Sequence, residues 1–368
     1  MLHRIGNLCL KYLKTNGSRL RYGCGLKPCP GGDCNNALSI WSPVWLGRGQ
    51  ADMASLVWKA FTSSTNWSSP SSSKFLLAFG VAGLMKFLGL SEEKEDSELI
   101  QIIKKAEFAL LKKEYNKSEQ LFHLALKMAQ ELQNENGVTF VYDRLANVAF
   151  DTSRFEKARK LFVEVMQRLL DNGMAKDDLA LIHISFKLAK IFENIGDYST
   201  AAIGFQYCLD TLRPKLAKEN ADYADALALW LMLLNGYAYF LYYVGRPDEA
   251  FKYFKEARSV REQIGGEQDE QLVLLLNNLG TVSKLRGDTD AALRYFHEAE
   301  KLGKNFADME NFSFVYLNLA YLYMEFKMAD RAREYCDRAM RNASRHEFKE
   351  GIKESQECLS KVEEALKG

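Results

Sequence analysis

Proline is scarce, at six in 368 residues, and the five histidines stand apart from one another. Scarce proline and long glycine-free stretches suit helices rather than sheets or linkers. The chain contains no HExxH pair, no GxSxG elbow, no Walker-type phosphate loop and no GxGxxG following a strand-like run. The usual local signatures of zinc peptidases, α/β-hydrolases and nucleotide-binding folds are therefore missing. His123 and His297 each follow a large aromatic at a position expected to point outward, and His183 is expected to open a helix; all three read as surface or packing residues. A net charge of +1 supplies no global field for nucleic acid, and no nucleic-acid partner is expected. No cofactor and no metal are implied, and nothing in the sequence points to an enzyme.

Acidic residues are lacking at one end. Residues 1–74 hold nine Lys/Arg against only Asp33 and Asp52. Leu2, Ile5, Cys9, Tyr12 and Leu13 fall on one face of a potential helix, with Arg4, Lys11 and Lys14 on the other. A Ser-rich run, "TSSTNWSSPSSS", follows. This is the composition of a mitochondrial transit peptide, cleaved in part; a disordered cytosolic tail is the alternative. Four of the seven cysteines (Cys9, Cys24, Cys29, Cys34) lie here, but their spacing lacks the histidine or fourth thiolate of a zinc site. Cys208, Cys336 and Cys358 are scattered over expected helices and read as small buried or half-buried residues.

Residues 75–90, "KFLLAFGVAGLMKFLGL" without its leading lysine, form the one apolar stretch that raises a membrane question. Sixteen residues make a helix of about 24 Å, short of a bilayer core of roughly 30 Å. Lys86 lies near the end and its ammonium can snorkel outward. A single membrane span is expected, with a buried soluble helix as the competitor. An acidic spacer, residues 91–98, reverses the charge. By the positive-inside bias the basic leader stays in the matrix and the rest faces the intermembrane space.

From residue 99 to 366 the chain repeats itself. The clearest unit, "LLNNLGTVSKLRGDTDAALRYFHEAEKLGK", places Leu276, Leu279, Gly280, Ala292, Phe296 and Ala299 in the tetratricopeptide pattern of small and large residues. Small residues belong where paired helices cross closely: Ala106, Ala146, Ala158, Ala189, Ala201, Ala238, Ala250, Gly280, Ala292, Ala320 and Ala332 occupy such places. The small residue of the second helix recurs at 118, 158, 201, 250, 292 and 332, in steps of 40, 43, 49, 42 and 40. Those steps exceed the 34 residues of an ordinary repeat. The fold expected is all-α: a tetratricopeptide-repeat (TPR) right-handed superhelical solenoid of about six long-period helix pairs. Ile352, Leu359, Val362 and Leu366 mark a C-terminal capping helix.

With no catalytic constellation, a binding groove is the remaining candidate. First helices line the groove of such arrays, and the residues placed there are Arg144, Asn147, Lys187, Lys190, Asn235, Tyr239, Asn277, Asn278, Thr281, Asn318 and Tyr321. An Asn amide both donates and accepts, so a line of them suits the free backbone groups of an extended peptide. A merely solvated face is the plainer reading.

The basic leader, short apolar segment, acidic spacer and long-period repeats, with "YDRLANVAF" and "LLDNGMAKDDLALIHISFKLA", resemble the mitochondrial tetratricopeptide repeat protein 19 family over roughly residues 75–366. The resemblance implies a non-enzymatic factor of the inner mitochondrial membrane. It implies a role in assembly and maintenance of respiratory complex III, with complex III subunits, especially the Rieske iron–sulfur protein or its fragments, as partners. It supplies no catalytic residue. The competing reading is a cytosolic adaptor like kinesin light chain, although no heptad coiled coil precedes the repeats.

Overall fold

The structure, a computed structural model, describes residues 98–217, 223–264, 270–304 and 309–367. The leader, the apolar segment 75–90 and the spacer to residue 97 lie outside the described residues.

The described chain is a stack of antiparallel helix pairs. They are α1 (Glu98–Leu111) with α2 (Tyr115–Glu131), α3 (Glu135–Asp151) with α4 (Phe155–Asp171), and α5 (Leu179–Asn194) with α6 (Tyr198–Leu212). Next come α7 (Tyr223–Tyr243) with α8 (Pro247–Ile264), α9 (Glu270–Leu285) with α10 (Thr289–Gly303), and α11 (Ser313–Glu325) with α12 (Ala329–Arg345). A last helix, α13 (Lys349–Lys367), packs on α12 and α11. Six pairs and a cap make a tetratricopeptide solenoid.

One turn makes each pair, and the same turn also follows α2, α4 and α12. The second residue after each first helix adopts a left-handed conformation: Lys113, Ser153, Gly196, Gly245, Gly287 and Lys327, with φ between 57° and 84°. The next amide then reaches back over the helix end, from Glu114 to the Ala109 carbonyl, Arg154 to Ala149, Asp197 to Phe192, Arg246 to Leu241, Asp288 to Ser283 and Met328 to Tyr323, all at 2.8–3.0 Å. This closes carbonyls that would otherwise be unpaired. Asp197 and Asp288 also cap the following helix, accepting from the Thr200 and Ala291 amides.

Packing within a pair joins small to large. Ala106, Ala146, Ala158, Ala201, Ala238, Ala250, Ala292, Ala320 and Ala332 are wholly buried, and Ala189 nearly so. Phe122, Phe162, Phe205, Phe254 and Phe296 fill the space beside them, each burial stabilising by about 1.5–3 kcal/mol. At Gly280 an added Cβ would lie 2.4 Å from the Phe296 ring, so the close crossing requires glycine there. In the first pair Ser118 takes the alanine position and donates its hydroxyl to the Ala106 carbonyl at 3.0 Å.

The 49-residue step has a physical origin. A 3-10 turn at Arg213–Ala217 extends α6, and α7 runs to 21 residues. Among the described helices α7 alone is long and apolar enough to cross a membrane, but it is mostly buried. Leu229, Trp230, Leu233, Leu234, Phe240 and Leu241 pack into the largest apolar cluster. A helix apolar on all sides is what a core position between two neighbours requires.

The reading of Cys336 and Cys358 as separate buried residues needs correction. They form a disulfide between α12 and α13, with Cα atoms 5.8 Å apart. Sequence spacing hid this, because 22 residues and a helix reversal separate them. Cys208 is a buried free thiol.

Candidate binding face

The first helices of successive pairs lie side by side, and the face they form has two chemically distinct regions. Over α3 and α5 it is ionic. Arg144 Nε lies 2.9 Å from the Glu107 carboxylate of α1, and its guanidinium covers the Phe140 ring. Asn147 donates to the Asp143 carbonyl at 2.8 Å and to its carboxylate at 3.1 Å. The Lys187 ammonium stands over the Phe150 ring, with Asp143 and Asp151 as its ionic neighbours. Burial raises the carboxyls of both aspartates, and Lys187 opposes that rise. His183 sits among these cations; burial, then Lys187 and Arg144, push its pKa down to about 3, so it is neutral. Lys190 pairs with Glu193 at 2.7 Å in a buried ion pair, and burial lowers the lysine to about 8 while raising the carboxyl.

Over α7, α9 and α11 the face is amide and phenol. Asn318 Nδ2 donates to Asn277 Oδ1 at 2.8 Å, bridging α11 and α9. Thr281 donates its hydroxyl to the Asn277 carbonyl at 3.0 Å. The Asn278 amide meets the Tyr239 hydroxyl of α7, and burial raises that phenol's pKa. The Tyr239 ring stands edge-on to Phe254. Asn235 Oδ1 is buried with no hydrogen-bond partner among the described residues. Tyr321 is half-buried under the Lys361 ammonium, and burial, then Glu354 and Glu357, push its pKa up to about 12.

The sequence-derived set is thus divided by access. Lys190, Asn235, Tyr239, Asn277, Asn278 and Asn318 are all under 9% exposed. Arg144, Asn147, Lys187, Thr281 and Tyr321 are half-buried and reach the open face. Among the described residues no cluster of His, Cys, Asp and Glu has the makings of a metal site.

One polar centre escaped the sequence reading. Glu300 on α10, 6% exposed, accepts from Arg338 at 2.9 Å, Lys304 at 3.1 Å and the Tyr335 hydroxyl at 3.2 Å. His297 bridges Glu300 (3.1 Å) and the Tyr323 hydroxyl (3.0 Å). The Tyr323 and Tyr335 rings stack at 5.4 Å. Burial opposes ionisation of Glu300, but hydrogen bonds from His297, Lys304 and Tyr335 outweigh it and hold the carboxyl below its ordinary range. A single glutamate inside a second-helix pattern carries no sequence signal for this, because Tyr335 and Arg338 come from α12, 35 and 38 residues away.

Comparison with known proteins agrees with the geometry. A family profile described as tetratricopeptide repeat matches residues 222–305. The chain is 30% identical to the Drosophila melanogaster tetratricopeptide repeat protein 19 homolog, named mitochondrial, over 82% of this chain and 84% of that one. It is 29% identical to the Homo sapiens tetratricopeptide repeat protein 19, also named mitochondrial, over 90% of this chain and 88% of that one. Among solved structures, the apo form of the quorum sensor NprR from B. thuringiensis superposes with a TM-score of 0.55 at 14% identity, covering 86% of this chain and 88% of that one.

Proposed function

The chain belongs to the mitochondrial tetratricopeptide repeat protein 19 family, and from that premise we propose that it is a non-enzymatic scaffold of the mitochondrial inner membrane that supports assembly and maintenance of respiratory complex III. Residues 75–90 anchor it in a single pass, the leader directs import, and the solenoid faces the intermembrane space. Its partner is an extended segment of the Rieske iron–sulfur subunit or of its fragments, held on the first-helix face.

The observation that carries this reading is the length of the family likeness, which runs through nearly the whole solenoid rather than one repeat. The face supports it in chemical kind. Half-buried Asn147 and Thr281 donate within their own helices but keep acceptor oxygens, and Tyr321 adds a hydroxyl on an aromatic ring, a mixture that suits peptide backbone.

The test is rescue of a null line. Loss of the protein should lower ubiquinol–cytochrome c reductase activity and leave other respiratory complexes largely intact. Replacing Asn147, Thr281 and Tyr321 together with alanine removes three contacts of about 0.5–1.5 kcal/mol each, weakening Rieske-subunit binding roughly 10- to 1000-fold. Full rescue with normal co-purification would move binding off this face. A null line with normal complex III activity would remove the assignment.

A further inference from the structure

The helix that closes the stack has little to hold it. Of α13, only Cys358 and Val362 are fully buried apolar side chains; Ile352 and Leu359 are half-buried and Leu366 is exposed. Its other buried positions are Gly351, Glu354 and Ser355, and Lys353, Glu357, Lys361, Glu363 and Glu364 face solvent. Yet α13 covers the open end of the solenoid. A Cβ at Gly351 would lie 2.6 Å from the Phe348 ring and 2.9 Å from Ala343 and Ser313, and Lys361 lies over Tyr321. In a linear array a terminal element has one neighbour face instead of two, so a thin apolar contact there leaves it free to fray. The bond between Cys336 and Cys358 ties this helix to α12 at the centre of that contact, with both residues wholly buried.

We propose that Cys336–Cys358 is a structural disulfide installed on the cap by thiol–disulfide exchange before α13 docks. The solenoid then matures on an oxidising side of its membrane; that step rests on the anchored reading above. In the exchange, two S–H bonds are lost and one S–S bond forms. The two electrons and two protons pass to the disulfide of an exchange oxidase, which leaves as a dithiol. A mixed disulfide needs an accessible thiolate. Neither sulfur is accessible once α13 is docked, so exchange precedes docking. The same burial afterwards keeps reductants away, which makes the bond a permanent staple rather than a switch. Cys208 is an internal control: it is buried on α6, and burial raises its thiol pKa.

The experiment uses the full-length protein in isolated mitochondria. Free thiols are blocked with N-ethylmaleimide before lysis, and unreduced digests are read by mass spectrometry. A linked Cys336–Cys358 peptide is expected, with Cys208 alkylated only after denaturation. Alkylated Cys336 and Cys358 would overturn the disulfide. In mitoplasts the linked peptide should be released by added protease; its recovery only from the protected matrix would overturn the compartment. In the full chain carrying Cys336→Ala and Cys358→Ala, α13 amides should exchange at least tenfold faster while α1–α8 are unchanged. Unchanged protection of α13 would overturn the staple. None of these readings depends on complex III activity, so their failure and the failure of the proposed function are separable.

Discussion

Asn318 on α11 donates its amide hydrogen to the Asn277 side-chain carbonyl on α9, 41 residues away, at 2.8 Å, with both side chains buried. Two side chains that the sequence pattern predicts to face a ligand are engaged with each other across neighbouring repeats. Asn318→Ala strands the buried Asn277 carbonyl and should destabilise by about 1–3 kcal/mol. Asn277→Ala with Asn318→Ala should cost less than the two single changes added. Denaturant melts of the four proteins form the cycle, and strict additivity would mean the bond carries no energy.

Gly280 admits the Phe296 ring at a helix crossing. Gly280→Ala places a methyl where the ring stands and should cost about 1–3 kcal/mol by overpacking. Adding Phe296→Leu should recover part of that loss, although Phe296→Leu alone is destabilising. Thermal unfolding reads the difference, and a G280A protein that melts with wild type would show that the ring yields freely.

Glu300 gathers Arg338, Lys304, His297 and Tyr335, joining α10 to α12. Glu300→Ala leaves partly buried donors without their acceptor and should destabilise by about 2–4 kcal/mol. Because repeats lean on neighbours, faster hydrogen exchange should appear in α10, α11 and α12 together and be weak in α1–α4. Uniform loosening of the whole chain would contradict this local role.

Glu119 on α2 sets an acid limit on the contact between the first and second pairs. Its carboxylate accepts two bonds from Arg154 at 2.9 Å and one from Lys157 at 2.6 Å. The Arg154 hydrogen bonds, opposed by burial and aided by Lys157, hold its pKa down from 4.5 to about 2. A depressed carboxyl gives its stabilisation in full above the unfolded value and loses it as pH falls from 4.5 toward 2. Wild type should therefore lose more melting temperature between pH 5 and pH 3 than Glu119→Gln does. Parallel losses would place the acid sensitivity elsewhere.

The leader is open to a direct test. Residues 1–74 fused to a fluorescent protein should enter mitochondria, and Arg4→Glu, Lys11→Glu and Lys14→Glu together should abolish entry by reversing the charged face. Diffuse cytosolic fluorescence from the unaltered leader would refute import.

What the sequence determined is local. Helix pairs, their number and their turns follow from small residues such as Ala292 at close crossings, large ones such as Phe296 beside them, and Gly287-Asp288 at a reversal. Each of these acts within about one turn or one pair, so periodicity exposes it. That Asn147, Asn277, Asn318 and Tyr321 sit on first helices was also legible, because the repeat frame fixes position within a pair. Their access was not. Asn277 and Asn318 became buried, while Asn147 and Tyr321 stayed half-open, according to how closely successive first helices lie, and no periodicity encodes that distance. The Cys336–Cys358 bond and the Glu300 centre belong to the same class. Their partners are 22 residues apart in one case and up to 38 in the other, on helices whose mutual register is fixed only when the pairs stack. Pattern sets each pair; the fit of one pair against the next, a matter of side-chain volume and close packing, decides which polar groups meet.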